Sequence, residues 1–89
     1  MIPSIHFASQ ETNDLRRYVV VFPALVNGQP VECAISYQAL RQHFGADYED
    51  PLPAFTTHRQ HIEQLAAQFI RQQRFEPDGT ILMRSYDIA

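Results

Sequence analysis

Asn27-Gly28 separates two strand-like runs, Tyr18 to Val26 and Gln29 to Ser36. The pair suits a two-residue type I′ turn, because both central positions of that turn need positive φ. If Val26 and Gln29 close the turn, the register follows by counting outward. Ala24 then faces Val31, Phe22 faces Cys33 and Val20 faces Ile35, six apolar side chains on one face. The other face carries Val19, Val21, Pro23 and Leu25 against Ser36, Ala34, Glu32 and Pro30, a mixed set. The prolines test the register. Both fall at pairs that exchange no hydrogen bond, where the absent N–H would have pointed away from the partner strand. A slip of one residue spoils the apolar face and the proline placement together.

Around this hairpin the sequence predicts a small α+β domain. Met1 to Ala8 holds a short alternating segment around Ile5 and Phe7, read as an edge strand, and Ser9 to Asp14 is polar and read as a loop. Ser36 is placed to cap a helix over Tyr37 to Phe44, with Gly45 in the left-handed position beyond its end. The acidic connection Ala46 to Pro53 follows. Asp50 caps a second helix, expected from Pro51 to about Gln73, whose stripe is Phe55, Ile62, Leu65, Ala66, Phe69 and Ile70. Gln60, Gln64, Ala67 and Arg71 fall on the far side of that helix, expected to be wet. Pro77-Asp78-Gly79 reads as a turn into a last strand, Thr80 to about Tyr86. The expected order is β-β-β-α-α-β, a small antiparallel sheet with two helices packed on one face.

The chain of 89 residues is read as one domain, 1–89, and its 45% apolar content suffices for one modest core. No leader-like series opens it, and its longest apolar run is far short of the ~20 residues that span a bilayer. The single cysteine excludes an internal disulfide, and a reducing cytoplasm is the expected compartment. A net charge of −3 argues against nonspecific affinity for polyanions.

The run Val21 to Ser36, then Ala39-Leu40, His43-Phe44-Gly45, Phe55, Arg59, Ile62-Glu63, Ala66 and Asp78-Gly79-Thr80-Ile81, resembles a family of small bacterial proteins catalogued as domain of unknown function 1488. The resemblance covers about Phe7 to Asp87. It implies a small cytoplasmic domain and brings no activity with it.

Four groups of side chains are candidates for chemistry. His58 and His61 share a helix at three-residue spacing, and His43 with Asp47, Glu49 or Asp50 could complete a metal site. His58 lies inside the apolar stripe and His61 at its rim, as packing histidines do, so the expectation is no metal and no cofactor. Arg59 and Glu63 form an i, i+4 pair beside the core, read either as an anion-binding arginine with its carboxylate or as a helix-surface ion pair. Cys33 is a nucleophile only if exposed, and the register buries it among Val20, Phe22 and Ile35. Arg16, Arg17, Arg71, Arg74 and Arg84, with Tyr18 and Tyr86, would serve nucleic acid, but the acidic balance and nearby Glu76, Asp78 and Asp87 oppose it.

No nucleophile elbow, phosphate loop or dinucleotide fingerprint occurs, and the three glycines each have a turn or cap to explain them. The reading is a non-catalytic interaction or regulatory module that binds a protein partner or a second copy of itself. Val19, Val21 and Leu25 on the spare sheet face, with Arg59 and Glu63, are its binding candidates. A metal-dependent protein using the helix histidines and a nucleic-acid-binding protein are the rivals.

Overall fold

Asn27 and Gly28 both adopt positive φ, 52° and 81°, and the hairpin closes as a type I′ turn requires. A computed structural model describes residues 2–88; Met1 and Ala89, the ends of the expected domain, lie outside the described residues. Strand β3 (Val19–Val26) pairs antiparallel with β4 (Gln29–Ser36), and the register is the one counted from the turn, from Val26 opposite Gln29 to Val19 opposite Ser36.

Two short strands share the far edge of β3. β1 (Ile5–Phe7) pairs with Val26 to Ala24, and β2 (Thr12–Asp14) pairs with Val21 to Val19, both antiparallel. The expected loop over Ser9 to Asp14 is therefore half strand. Pro23 explains the split. Its nitrogen faces this edge and carries no hydrogen, so the outer strand finds no donor opposite position 8 and leaves the sheet until Thr12. Residues 8–11 form the resulting bulge.

Ser36 ends β4 and caps helix α1 (Tyr37–Phe44), its hydroxyl accepting from the Ala39 N–H at 3.0 Å. Gly45 closes that helix at φ 70°. The Asp50 carboxylate accepts from the Leu52 N–H at 3.2 Å and starts α2 (Leu52–Thr57). The expected second helix is in fact two, since α3 (Arg59–Arg71) follows only after a kink at His58, with φ −107° and ψ 20°. Beyond Arg71 the turn is completed by Gln73 in the left-handed region, with Arg74 N–H reaching back to the Phe69 carbonyl at 2.9 Å.

β5 (Ile81–Met83) pairs with Cys33 to Ile35 of β4 in parallel, giving the order β1-β3-β4-β5, with β2 paired to β3 along the same edge as β1. The sheet is thus mostly antiparallel with one parallel edge. The segment α1 to α3 is the crossover that parallel pairing needs. β5 stops at Met83, and Ser85–Asp87 is one turn of 3-10 helix rather than more strand.

The core lies between the inner sheet face and the helices. Val20, Phe22, Ala24, Cys33, Ile35, Ile81 and Met83 meet Leu40, Phe44, Phe55, Ile62, Ala66, Phe69 and Ile70. The outer face is less bare than expected. Asp14 accepts from the N–H groups of Arg16 and Arg17, and the Arg17 guanidinium reaches both the Asp14 and Glu32 carboxylates, at 2.7 and 3.4 Å. That span runs from the β2–β3 turn to β4 across the outer face, on which Val19 of β3 and Ala34 of β4 are buried at 5% and 3% exposure. Val19 accordingly drops out of the exposed patch. Val21 is half-buried and Leu25 is exposed.

Candidate functional site

Arg59 opens α3, and its guanidinium stands 5.0 Å from the centroid of the Phe55 ring. From the bulge between β1 and β2, Glu11 accepts a hydrogen bond from Nη2, while Glu63, one turn along α3, lies 3.9 Å from Nη1. All three side chains are about four-fifths buried. Nη1 is buried without a hydrogen-bond partner among the described residues. Burial pushes the Glu63 carboxyl above its usual range, and the neighbouring guanidinium only partly offsets this. The expected pair Arg59–Glu63 is therefore a triad, and Glu11, its nearest carboxylate, carries no local signal in the sequence.

Beside the triad a groove of about 440 Å³ runs between β1 and α3, lined by Ile5, Phe7, Gln60, Glu63, Gln64, Ala67 and Arg71. Gln60, Gln64, Ala67 and Arg71 recur at steps of four, three and four, one stripe of the helix. Three of them are exposed as expected, whereas Ala67 is buried and forms a low point in the wall. One wall is a helix face rich in carboxamides, and the other is a strand at the rim of the sheet. Among the described residues β1 pairs with β3 alone. The Ser4 carbonyl accepts from the Asn27 N–H, so Ser4 and His6 turn their backbone groups to β3, and Ile5 and Phe7 turn theirs outward.

The histidines do not converge. The rings of His58 and His61 both pack on Phe44, each with centroids 5.3 Å apart, and their spacing serves that contact. His43 Nε2 lies 2.9 Å from the Ser85 carbonyl oxygen, to which it donates. A nitrogen committed to that carbonyl is no base for the nearby Ser85 hydroxyl, so the pair has no activated nucleophile. No three His, Cys, Asp or Glu side chains are grouped to hold a metal among the described residues. Cys33 is fully buried, and its thiol is pushed up to about 12, chiefly by desolvation.

The arginines proposed for nucleic acid are largely shared with carboxylates. Arg17 is held by Asp14 and Glu32, Arg84 by Glu76 and Asp87, and Arg74 by Asp87 while it stacks 3.8 Å from the Phe69 centroid. A second depression, of about 450 Å³, lies on the outer sheet face against Val21, Pro23 and Pro30, with Gln10, Thr12 and Glu32 around it.

A family model described as protein of unknown function (DUF1488) matches residues 5–83, from the first residue of β1 to the last of β5. The chain belongs to this family. Within DUF1488 it is 37% identical over 82 residues to the uncharacterized protein YrdB of Escherichia coli (strain K12), covering 91% of this chain and 96% of that protein. The YrdB of Shigella flexneri matches to the same extent. A crystal structure of a DUF1488 protein from Shewanella loihica PV-4 superimposes with a TM-score of 0.81 at 29% identity, over 90% of this chain and 91% of that one. The DUF1488 match takes in both walls of the groove and the Arg59 triad. No helix among the described residues is long and apolar enough to cross a membrane.

Proposed function

We propose that this DUF1488 chain is a non-catalytic protein-interaction module of the cytoplasm, and that the groove between β1 and α3 is its binding site. The observation that carries the reading is the pairing of walls: outward backbone groups of Ile5 and Phe7 on one side, the Gln60–Gln64–Ala67–Arg71 stripe on the other. Backbone edges and carboxamides are complementary to polypeptide. The Arg59–Glu11–Glu63 triad serves as the fixed end of this groove, holding the bulge against α3. The free buried Cys33 agrees with a reducing compartment.

A photo-crosslinking amino acid introduced at Gln64 in the native bacterium tests the reading, with Gln38 on α1 as the exposed control. A discrete protein adduct from position 64 alone, whose purified partner binds the wild-type chain and fails to bind Gln64→Arg, supports it. Adducts of equal yield from both positions, or a partner indifferent to Gln64→Arg, overturn it.

A second reading rests on Leu25, 48% exposed at the border of the outer face beside Val21, Pro23 and Pro30. Here the chain pairs with a second copy through that face. Light scattering decides it: a dimer that Leu25→Glu converts to monomer supports this reading, and a wild-type monomer at high concentration removes it.

A further inference from the structure

We infer that the occupant of the β1–α3 groove is an extended peptide that adds to β1 as a strand and carries one basic and one acidic side chain four residues apart; this rests on the groove being the protein-binding site. Strand addition follows from β1. Its outward N–H and C=O groups at Ile5 and Phe7 form half of a ladder, and only another extended backbone completes it. The inward side chains of such a strand face α3. There the groove carries two charges, Glu63 and Arg71. Arg71 makes no ion pair among the described residues, and Glu63 has only the more distant arm of Arg59, at 3.9 Å.

Eight residues of helix separate these charges by about 12 Å along its axis. A strand lying beside α3 covers that span in about four residues at roughly 3.3 Å each. Four is an even step, so both peptide side chains point to the same face. A basic residue meets Glu63, an acidic one meets Arg71, and small residues between them pass over Ala67 against the carboxamide of Gln64. The separated charges also set the direction in which the peptide enters.

Three acetylated and amidated nine-residue peptides test this against the full-length, nitrogen-15-labelled chain. In one, Lys and Glu stand four apart in a Thr/Val background; in the second they stand five apart; in the third both are Ser. The first peptide is expected to shift the Ile5 and Phe7 amides and slow their exchange, and to bind about threefold or more tighter than the other two. Arg71→Glu weakens it by a similar factor, and a peptide with Lys in place of its Glu restores the affinity. Equal affinities for the three peptides overturn the charge pattern. Unchanged Ile5 and Phe7 amides at saturation, or no binding by any peptide, overturn strand addition. Protection of those amides that rises with protein concentration without peptide identifies a second copy as the occupant and overturns it as well. The crosslinking from position 64 is independent of these outcomes, so a failed peptide pattern leaves the assignment of the groove to be judged on its own.

Discussion

Arg59 donates to the carboxylate of Glu11, a residue 48 positions earlier, and so ties the first turn of α3 to the bulge that splits the outer strand. Pro23 interrupts the strand, the interruption frees residues 8–11 to bulge, and Glu11 then reaches the helices. A single missing N–H thus determines where a carboxylate 48 residues from Arg59 finds its partner, in the sense that each step needs the one before it.

Breaking the pair tests its role. Arg59→Ala is expected to cost about 1–3 kcal/mol, since it leaves Glu11 mostly buried without its cation. Glu11→Gln costs less. Chemical denaturation of both singles and the double variant should show a coupling energy of at least about 0.5 kcal/mol; additive losses would mean the bulge is held by other contacts.

At Pro23, the substitution Pro23→Ala restores an amide that faces the bulge. Stability should change by less than about 1 kcal/mol, the usual effect of relaxing a proline in the unfolded chain. The new Ala amide should exchange with solvent far faster than those of Val21 and Leu25, whose positions pair with Thr12 and His6. Equal protection would show that the outer strand has become continuous.

Cys33 should resist labelling. With its side chain fully buried and the thiol raised to about 12, a bulky disulfide reagent should react at the rate of global unfolding and no faster. Stopped-flow labelling across a denaturant series reads this directly. Cys33→Ser places a hydroxyl in the core and should cost about 1–3 kcal/mol.

Glu63 gives a pH signature. Its carboxyl is raised in the folded state, so the native chain holds that proton more tightly than the unfolded one. The stability this contributes is complete below the ordinary value of 4.5 and is lost as pH rises through the raised value. Glu63→Gln should therefore melt higher than the wild type at pH 7 and equally at about pH 4, by calorimetry. A variant less stable at pH 7 than at pH 4, relative to wild type, would mean the attraction of Arg59 outweighs desolvation.

The cap of α1 is a local test. Ser36→Ala removes the bond to the Ala39 N–H and should cost about 1 kcal/mol. Gly45→Ala meets no atom within 4 Å and is opposed only by its φ of 70°, so a loss of about 1 kcal/mol is expected from backbone strain alone.

The hairpin was readable because two adjacent residues determine its turn, and side-chain alternation then determines every pair. Ser36 and Gly45 were readable for the same reason, since caps are local. β2 was not: Thr-Asn-Asp has little intrinsic preference for a strand, and it pairs because β3 offers a free edge at Val19 to Val21. The direction of β5 was hidden because alternation is the same in parallel and antiparallel strands. The break at His58 has no proline or glycine to announce it, although the β-branched Thr56 and Thr57 just before it weaken the helix. The site divides along the same line. Arg59 and Glu63 stand one helical turn apart and were visible together, whereas Glu11, Ile5 and Phe7 join them only through the tertiary fold. Alternation alone puts Val19 on the spare face, whereas its burial depends on the tertiary fold, and the turn that carries Arg17 to Asp14 and Glu32 on that face has no propensity signal.

β5 joins β4 in parallel, and that ordering has a cost during synthesis. The N-terminal meander can zip up as it leaves the ribosome, but its last edge must wait, unsealed, until the helices and the final strand emerge. Pro30 sits on that waiting edge and blunts it against chance pairing with another nascent chain. Shortening the C-terminus before Met83 should therefore yield inclusion bodies rather than a smaller folded protein.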